Sequence, residues 1–143
     1  MPLTQYLRDY LFVIPVIVMI LCEITKAVVE GIKTGNWHEK VFRSGGMPSS
    51  HSAFVMSLVM IVYHKLGAHS PEFAIAFVFA CVIWYDAMSS RKAIGEQAAI
   101  LNRLQKWKHF TERVGHSSKQ VLVGMIFGAV VTKIGIVVSH MIP

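Results

Sequence analysis

The chain is built from long uninterrupted apolar runs, and this limits what it can fold into more than any other feature. LFVIPVIVMILC fills residues 11–22, and comparable blocks follow from Ser49 to Leu66, from Ser70 to Ala87 and from Gln120 to about Met141. A water-soluble helix alternates apolar and polar faces, whereas these blocks do not, so they suit a lipid solvent. At 1.5 Å per residue, an 18-residue helix covers about 27 Å, which just crosses a bilayer core. Composition agrees: 54% of residues are hydrophobic, only 15% are charged, and the mean hydropathy is +0.52. The expected fold is all-α, an integral membrane bundle of about four transmembrane helices plus an amphipathic interfacial helix. The 143 residues suffice for a single domain.

The first block runs from about Leu11 to Ile32 and is expected to be a retained span. Arg8 is offset by Asp9, and no small-x-small cleavage site follows. Its second half carries Glu23, Lys26 and Glu30 at spacings of three and four, which place them on one helical face. Ionisable groups inside a span pair with each other or face a site, and both readings stand here. Cys22 and Cys81 lie in separate apolar blocks, which argues against a disulfide framework.

The long polar segment, residues 88–119, has its own pattern. Ile94, Ala98, Leu101, Leu104 and Trp107 recur at spacings of three and four, the mark of an amphipathic helix. Arg103, Lys106 and Lys108 would then reach lipid headgroups. Four spans put loops 33–48 and 88–119 on one side, together with ten of the fourteen lysines and arginines. The positive-inside rule makes that side cytoplasmic, in a membrane read as the bacterial plasma membrane. The net charge of +6 has no long basic stripe or finger pattern behind it, so nucleic acid is not the expected partner.

Chemistry collects in two short clusters. Ser44-Gly45-Gly46-Met47-Pro48-Ser49-Ser50-His51-Ser52 leads into the second block. Glycines allow close backbone approach, and Ser49 or Ser50 can cap the helix that follows. The free amides of a helix start bind phosphate, and His51 falls in that first turn. Glu112-Arg113-Val114-Gly115-His116-Ser117-Ser118 leads into the last block in the same way, with Ser117 or Ser118 as cap. In a four-span topology the second and fourth spans run in the same direction, so both histidines emerge on one face. The third span ends on that face at Asp86, followed by Arg91. Taken singly, each feature also reads as an ordinary interfacial histidine or a tight helix start. No cysteine or carboxylate stands at ligand spacing from either histidine, so no metal is expected there. His38, His64, His69, His109 and His140 read as loop or interface residues.

Three segments in this order, GGMPSSHSA, YDAMSSRKAIGEQAAILN and ERVGHSSKQVLVGMIFG, resemble the divergent branch of the type-2 phosphatidic acid phosphatase superfamily, which is related to vanadium haloperoxidases. The resemblance runs from about Lys26 to Gly128. It implies a phosphoric monoester hydrolase acting without metal or other cofactor through a phosphohistidine. His116 would be the nucleophile and His51, in Pro48-Ser49-Ser50-His51, the general acid. Gly46 and Ser50 would bond the phosphate.

The resemblance has departures. Gln120 stands where the superfamily usually has an aspartate that orients the nucleophile, so Asp86 or Glu112 would supply the carboxylate. Phe110 stands at the usual arginine, so Arg91 or Arg113 would substitute. The arginine-proline of the first motif is missing, and Arg43 with Lys26 or Lys40 would take its part.

The implied substrate is a lipid phosphate monoester or diphosphate, of the phosphatidic acid, phosphatidylglycerol phosphate or isoprenyl phosphate class. Other partners would be membrane lipids. Four short helices are few to enclose a polar site, which makes a homodimer plausible. The competing readings are a non-enzymatic lipid-phosphate binding or transport component, and a purely structural membrane subunit.

Overall fold

A computed structural model describes residues 13–35, 46–112 and 114–141. Those residues form five helices: α1 (Val13–Thr34), α2 (Ser50–Leu66), α3 (Pro71–Met88), α4 (Ser90–Leu104) and α5 (Ser118–Met141). No strand occurs among them, in agreement with the all-α expectation. Helix α2 is the hub, packing against α1, α3 and α5.

The α2–α5 contact sets the architecture. Gly124 and Gly128 lie on one stripe of α5 with Val121, Thr132, Ile136 and Ser139, all buried. A Cβ on Gly124 would run into the backbone of Ser49, and one on Gly128 into the backbone of Ala53. The two backbones therefore touch, which small residues four apart permit. One turn further on, the Thr132 and Ser57 hydroxyls share a hydrogen bond at 2.7 Å across a separation of 75 residues. At the far end His64 meets His140 across 76. A separation this constant means that α2 and α5 run parallel, in step, from end to end. The inference from four-span topology that both helices start on one face holds for this pair.

The bundle is apolar inside and out. Its interior mixes aliphatic residues such as Ile14, Val18, Val55, Ile61 and Ile136 with small hydroxylic ones, Ser49, Ser52, Ser57, Thr132 and Ser139. Its outside carries further large apolar residues: Ile75 and Val78 on α3 are 69% and 61% exposed, and Ile20, Ile24, Ile126 and Ile134 also face outward. Exposed apolar area on this scale needs a lipid or protein cover, and small residues inside are how helices pack in lipid.

Among the described residues two stretches are long and apolar enough to cross a membrane, Pro71–Leu104 and Ser118–Met141. The other two expected spans stand less clearly. Helix α2 has 17 residues, about 26 Å, and α1 carries Glu23, Lys26 and Glu30.

Helix ends follow local chemistry. Ser70 caps α3, accepting from Phe73 N at 3.1 Å, and Pro71 fills the first turn. Gly67, at φ +77°, closes α2, so α2 and α3 form a hairpin. Helix α4 is amphipathic as expected, with Ala98 buried and Ile94, Leu101 and Leu104 exposed. Trp107 is a correction: it lies beyond the end of α4, because the helix stops at Leu104 and Gln105 turns extended. Asn102 holds the following loop, donating to Phe110 O at 2.9 Å and accepting from Phe110 N at 2.8 Å.

Replacing Gly128 by Val should prise α2 from α5, because the added side chain meets backbone rather than a movable side chain. Overpacking costs about 1–3 kcal/mol where a core can adjust, and this site has little room to do so. The expected result is a clear fall in the thermal midpoint in detergent, with Ile126→Leu, on the outward face of the same helix, leaving it unchanged.

Candidate functional site

Because α2 and α5 start together, their first turns form one end of the bundle. Ser49 is the N-cap of α2: its Oγ accepts from Ser52 Oγ at 3.0 Å and from Ser52 N at 3.4 Å. The Ser49 N–H donates to Gln120 O at 3.3 Å, stitching one helix start to the other. Ser117 caps α5 through a reciprocal box: Gln120 N donates to Ser117 Oγ at 3.3 Å, and Ser117 N donates to Gln120 Oε1 at 2.8 Å. His51 and His116 are thus carried on two helix entries fixed to one another.

Helix α1 adds a buried charge group. Lys26 Nζ lies 2.6 Å from Glu23 Oε2, with the Lys26 side chain only 11% exposed. Ser50 Oγ donates to Glu23 Oε1 at 2.5 Å. Gly46, at φ +97°, sits against the Lys26 stem, where a Cβ would come within 3.2 Å of it. The Gly46 turn, Ser50 and Lys26 therefore form one unit around the Glu23 carboxylate. Sequence reasoning left Glu23 open between an ion pair and a place in a site, without foreseeing its bond to Ser50. Its position three residues before Lys26 inside an apolar run was the available signal.

The third contribution comes from the junction of α3 and α4. Asp86 Oδ2 accepts from Arg91 Nε at 2.6 Å. The segment leading to α5 lies against this junction: His116 N donates to Ala87 O at 3.0 Å, and a Cβ on Gly115 would collide with the Lys92 backbone. The charges of Lys26, His51 and Arg91 all act on His116. Lys26, Gly46, Ser50, His51, Asp86, Arg91 and His116, named separately from the sequence, are gathered at this end. Lys40, Arg43 and Arg113 lie outside the described residues.

The two carboxylates considered as partners for His116 are engaged elsewhere. Asp86 holds Arg91, and Glu112 Oε1 accepts from Asn102 Nδ2 at 2.8 Å. Nδ1 of His116 is buried with no hydrogen-bond partner among the described residues. Burial holds the His116 imidazole below its usual titration range. The Gln120 side chain opposes this, and the positive charges of Lys26, His51 and Arg91 push it lower still. His116 is accordingly neutral at pH 7, with a ring lone pair available. Among the described residues no group of three or more metal-ligating side chains occurs.

A family profile described as "Divergent PAP2 family" matches residues 7–131. The chain belongs to that family. Among curated proteins, an uncharacterized membrane protein, YuiD of Bacillus subtilis (strain 168), is 33% identical over 64% of this chain and 71% of its own length. No solved structure gives a significant match. Family membership, the membrane relative and the apolar helices agree on a membrane protein of a divergent PAP2 family.

The His116 ring should titrate below 6.5, the ordinary value for imidazole. Gln120→Asp would place a carboxylate nearby, favour the imidazolium and move the titration upward. Histidine-selective NMR titration of both proteins in detergent checks the direction of each shift.

Proposed function

We propose that this chain is a membrane lipid phosphatase that cleaves a lipid phosphate monoester or diphosphate through a phosphohistidine on His116. The observation that carries this reading is the meeting of His51 and His116, on two fixed helix starts, with Lys26, Arg91 and Ser50. A binding site needs cations and amides. Two imidazoles beside them, one held neutral, suit a reaction that moves protons.

The groups divide the work as follows. The amides at the starts of α2 and α5, with Lys26, Arg91, Gly46 and Ser50, take the phosphate oxygens. Asp86 positions Arg91, and Glu23 positions Lys26 and Ser50. Neutral His116 attacks phosphorus, forming an N–P bond as the bond to the lipid oxygen breaks. His51, protonated, gives its proton to that oxygen. Water then attacks the phosphohistidine, His51 takes the proton from water, and the N–P bond breaks to release phosphate. The histidines supply this chemistry without a metal. Lys40, Arg43 and Arg113 are further candidates to hold the phosphate.

Position in the membrane follows from the same reading. With α1 and α2 as the remaining spans, the bundle crosses the membrane four times. The site then lies at the cytoplasmic surface of a bacterial plasma membrane, with α4 along the interface. The substrate approaches from the bilayer, its headgroup entering between the helix starts. A second copy would close the open side of the site as a homodimer.

One observation favours the other reading, a non-enzymatic lipid-phosphate binding or transport component. Attack through Nε2 leaves the proton on Nδ1, where no acceptor stands among the described residues. Binding tolerates that, whereas turnover is slowed by it.

Phosphate release from a panel of lipid phosphates, by the full chain in detergent with chelator, separates the two. An enzyme releases phosphate, loses all turnover in His116→Ala, and loses about 10²–10⁴-fold in His51→Ala. The rate should be bell-shaped in pH, falling on acidification as His116 takes up a proton and falling again at higher pH as His51 loses the proton it must donate. A folded protein that binds lipid phosphate but releases none from any member of the panel is a binding component.

A further inference from the structure

The register that pairs Ser57 with Thr132 brings two imidazoles together at the opposite end of the bundle. Nε2 of His64 and Nε2 of His140 are 3.4 Å apart. The ring centroids lie 5.7 Å apart with the planes crossing at 70°. Both residues are exposed, one at the last turn of α2 and the other at the last turn of α5.

Two ring nitrogens at this distance cannot both carry a proton on the line between them. Either one N–H donates to the other's lone pair, or both lone pairs face a shared cation. A tetrahedral zinc ion holds imidazole nitrogens at about 2.0–2.1 Å, which sets two of them about 3.3–3.4 Å apart. The observed separation matches that bite. The register of the two parallel helices brings both residues to one end of the bundle, where the two exposed rings meet.

We propose that His64 and His140 form a two-histidine clip for a divalent transition ion that prefers imidazole, such as zinc, copper(II) or nickel, joining the ends of α2 and α5. No third histidine, cysteine or carboxylate completes a set among the described residues. Water fills the other positions, so the ion exchanges readily and acts as a staple between helices. The clip lies at the end of the bundle away from His51 and His116, and it does not rest on the phosphatase reading.

The test uses the full chain in detergent, stripped with chelator and titrated with zinc chloride while binding and thermal unfolding are followed. The wild type should bind one saturable, readily exchanging equivalent per chain, and its midpoint should rise saturably, because an ion that binds only the folded state stabilises it. His64→Ala and His140→Ala should each weaken that equivalent at least about tenfold. The double variant should lose no more than either single one. Both positions are exposed, so the zinc-free midpoints should match the wild type and show that the variants fold. A combined His51→Ala, His116→Ala variant should keep the full zinc response.

Equal zinc response in wild type and clip variants, or none in any, would overturn the clip and leave a hydrogen-bonded pair. Half an equivalent per chain would also overturn it, by placing the ion between two copies. Loss of the response in the combined His51 and His116 variant would move the metal to the other end and overturn it too.

Discussion

Everything distinctive in this bundle depends on two glycines that let two helices touch backbone to backbone. Between apolar helices in lipid there is no hydrophobic driving force, so association rests on close packing and on hydrogen bonds that lipid cannot replace. Gly124 and Gly128 supply the packing against Ser49 and Ala53. The Thr132–Ser57 bond supplies the polar lock. A contact of this kind has one register, because a shift by one residue would set a side chain against backbone. That register places the starts of α2 and α5 side by side, and with them His51 and His116.

A second constraint follows from the first. Once the helix starts are held together, their unpaired amides and positive dipole ends are concentrated in one place. Lys26 and Arg91 add two positive charges to that end. Each is matched by a carboxylate in contact, Glu23 for Lys26 and Asp86 for Arg91. Without an anion bound, these pairs keep the cations from standing unpaired in a poorly solvated place. They also hold the two side chains in one orientation, which on the proposed reading would lower the ordering cost of binding a phosphate.

Much of this was legible in the sequence, for reasons that can be named. Apolar blocks mark helices in lipid, and serine ahead of a block marks a helix start, so α2, α3 and α5 fall within a few residues of their expected ends. The pairing of the two histidine clusters was legible because parallel helices with short caps leave little freedom at their starts. What was not legible came from contacts across the chain. Glu23 read equally as an ion-pair partner or a site residue, and only the fold shows that Ser50 binds it. Asp86 and Glu112 looked available to His116, yet Arg91 and Asn102 engage them. Nothing in the spacing of His64 and His140 announces that they meet. Only the register set by small residues 12–16 positions earlier brings them together.

Gln120 shows how one position answers to two demands. The resemblance to the phosphatase superfamily points to this place as the one where an aspartate would orient the nucleophile. Here the residue is the third of its helix and closes a capping box with Ser117. Its backbone oxygen also accepts from the Ser49 N–H. The same residue thus ends the loop that carries His116, starts α5 and ties α5 to the entry of α2. A glutamine reaches back to the Ser117 amide without adding a negative charge beside His116. The helix start is secured, the imidazole stays neutral, and its buried Nδ1 has no hydrogen-bond partner among the described residues. On the proposed reading, the nucleophile would be rigidly placed but weakly activated. Such a site would draw its rate from positioning and from cations around the phosphate more than from a strongly basic histidine.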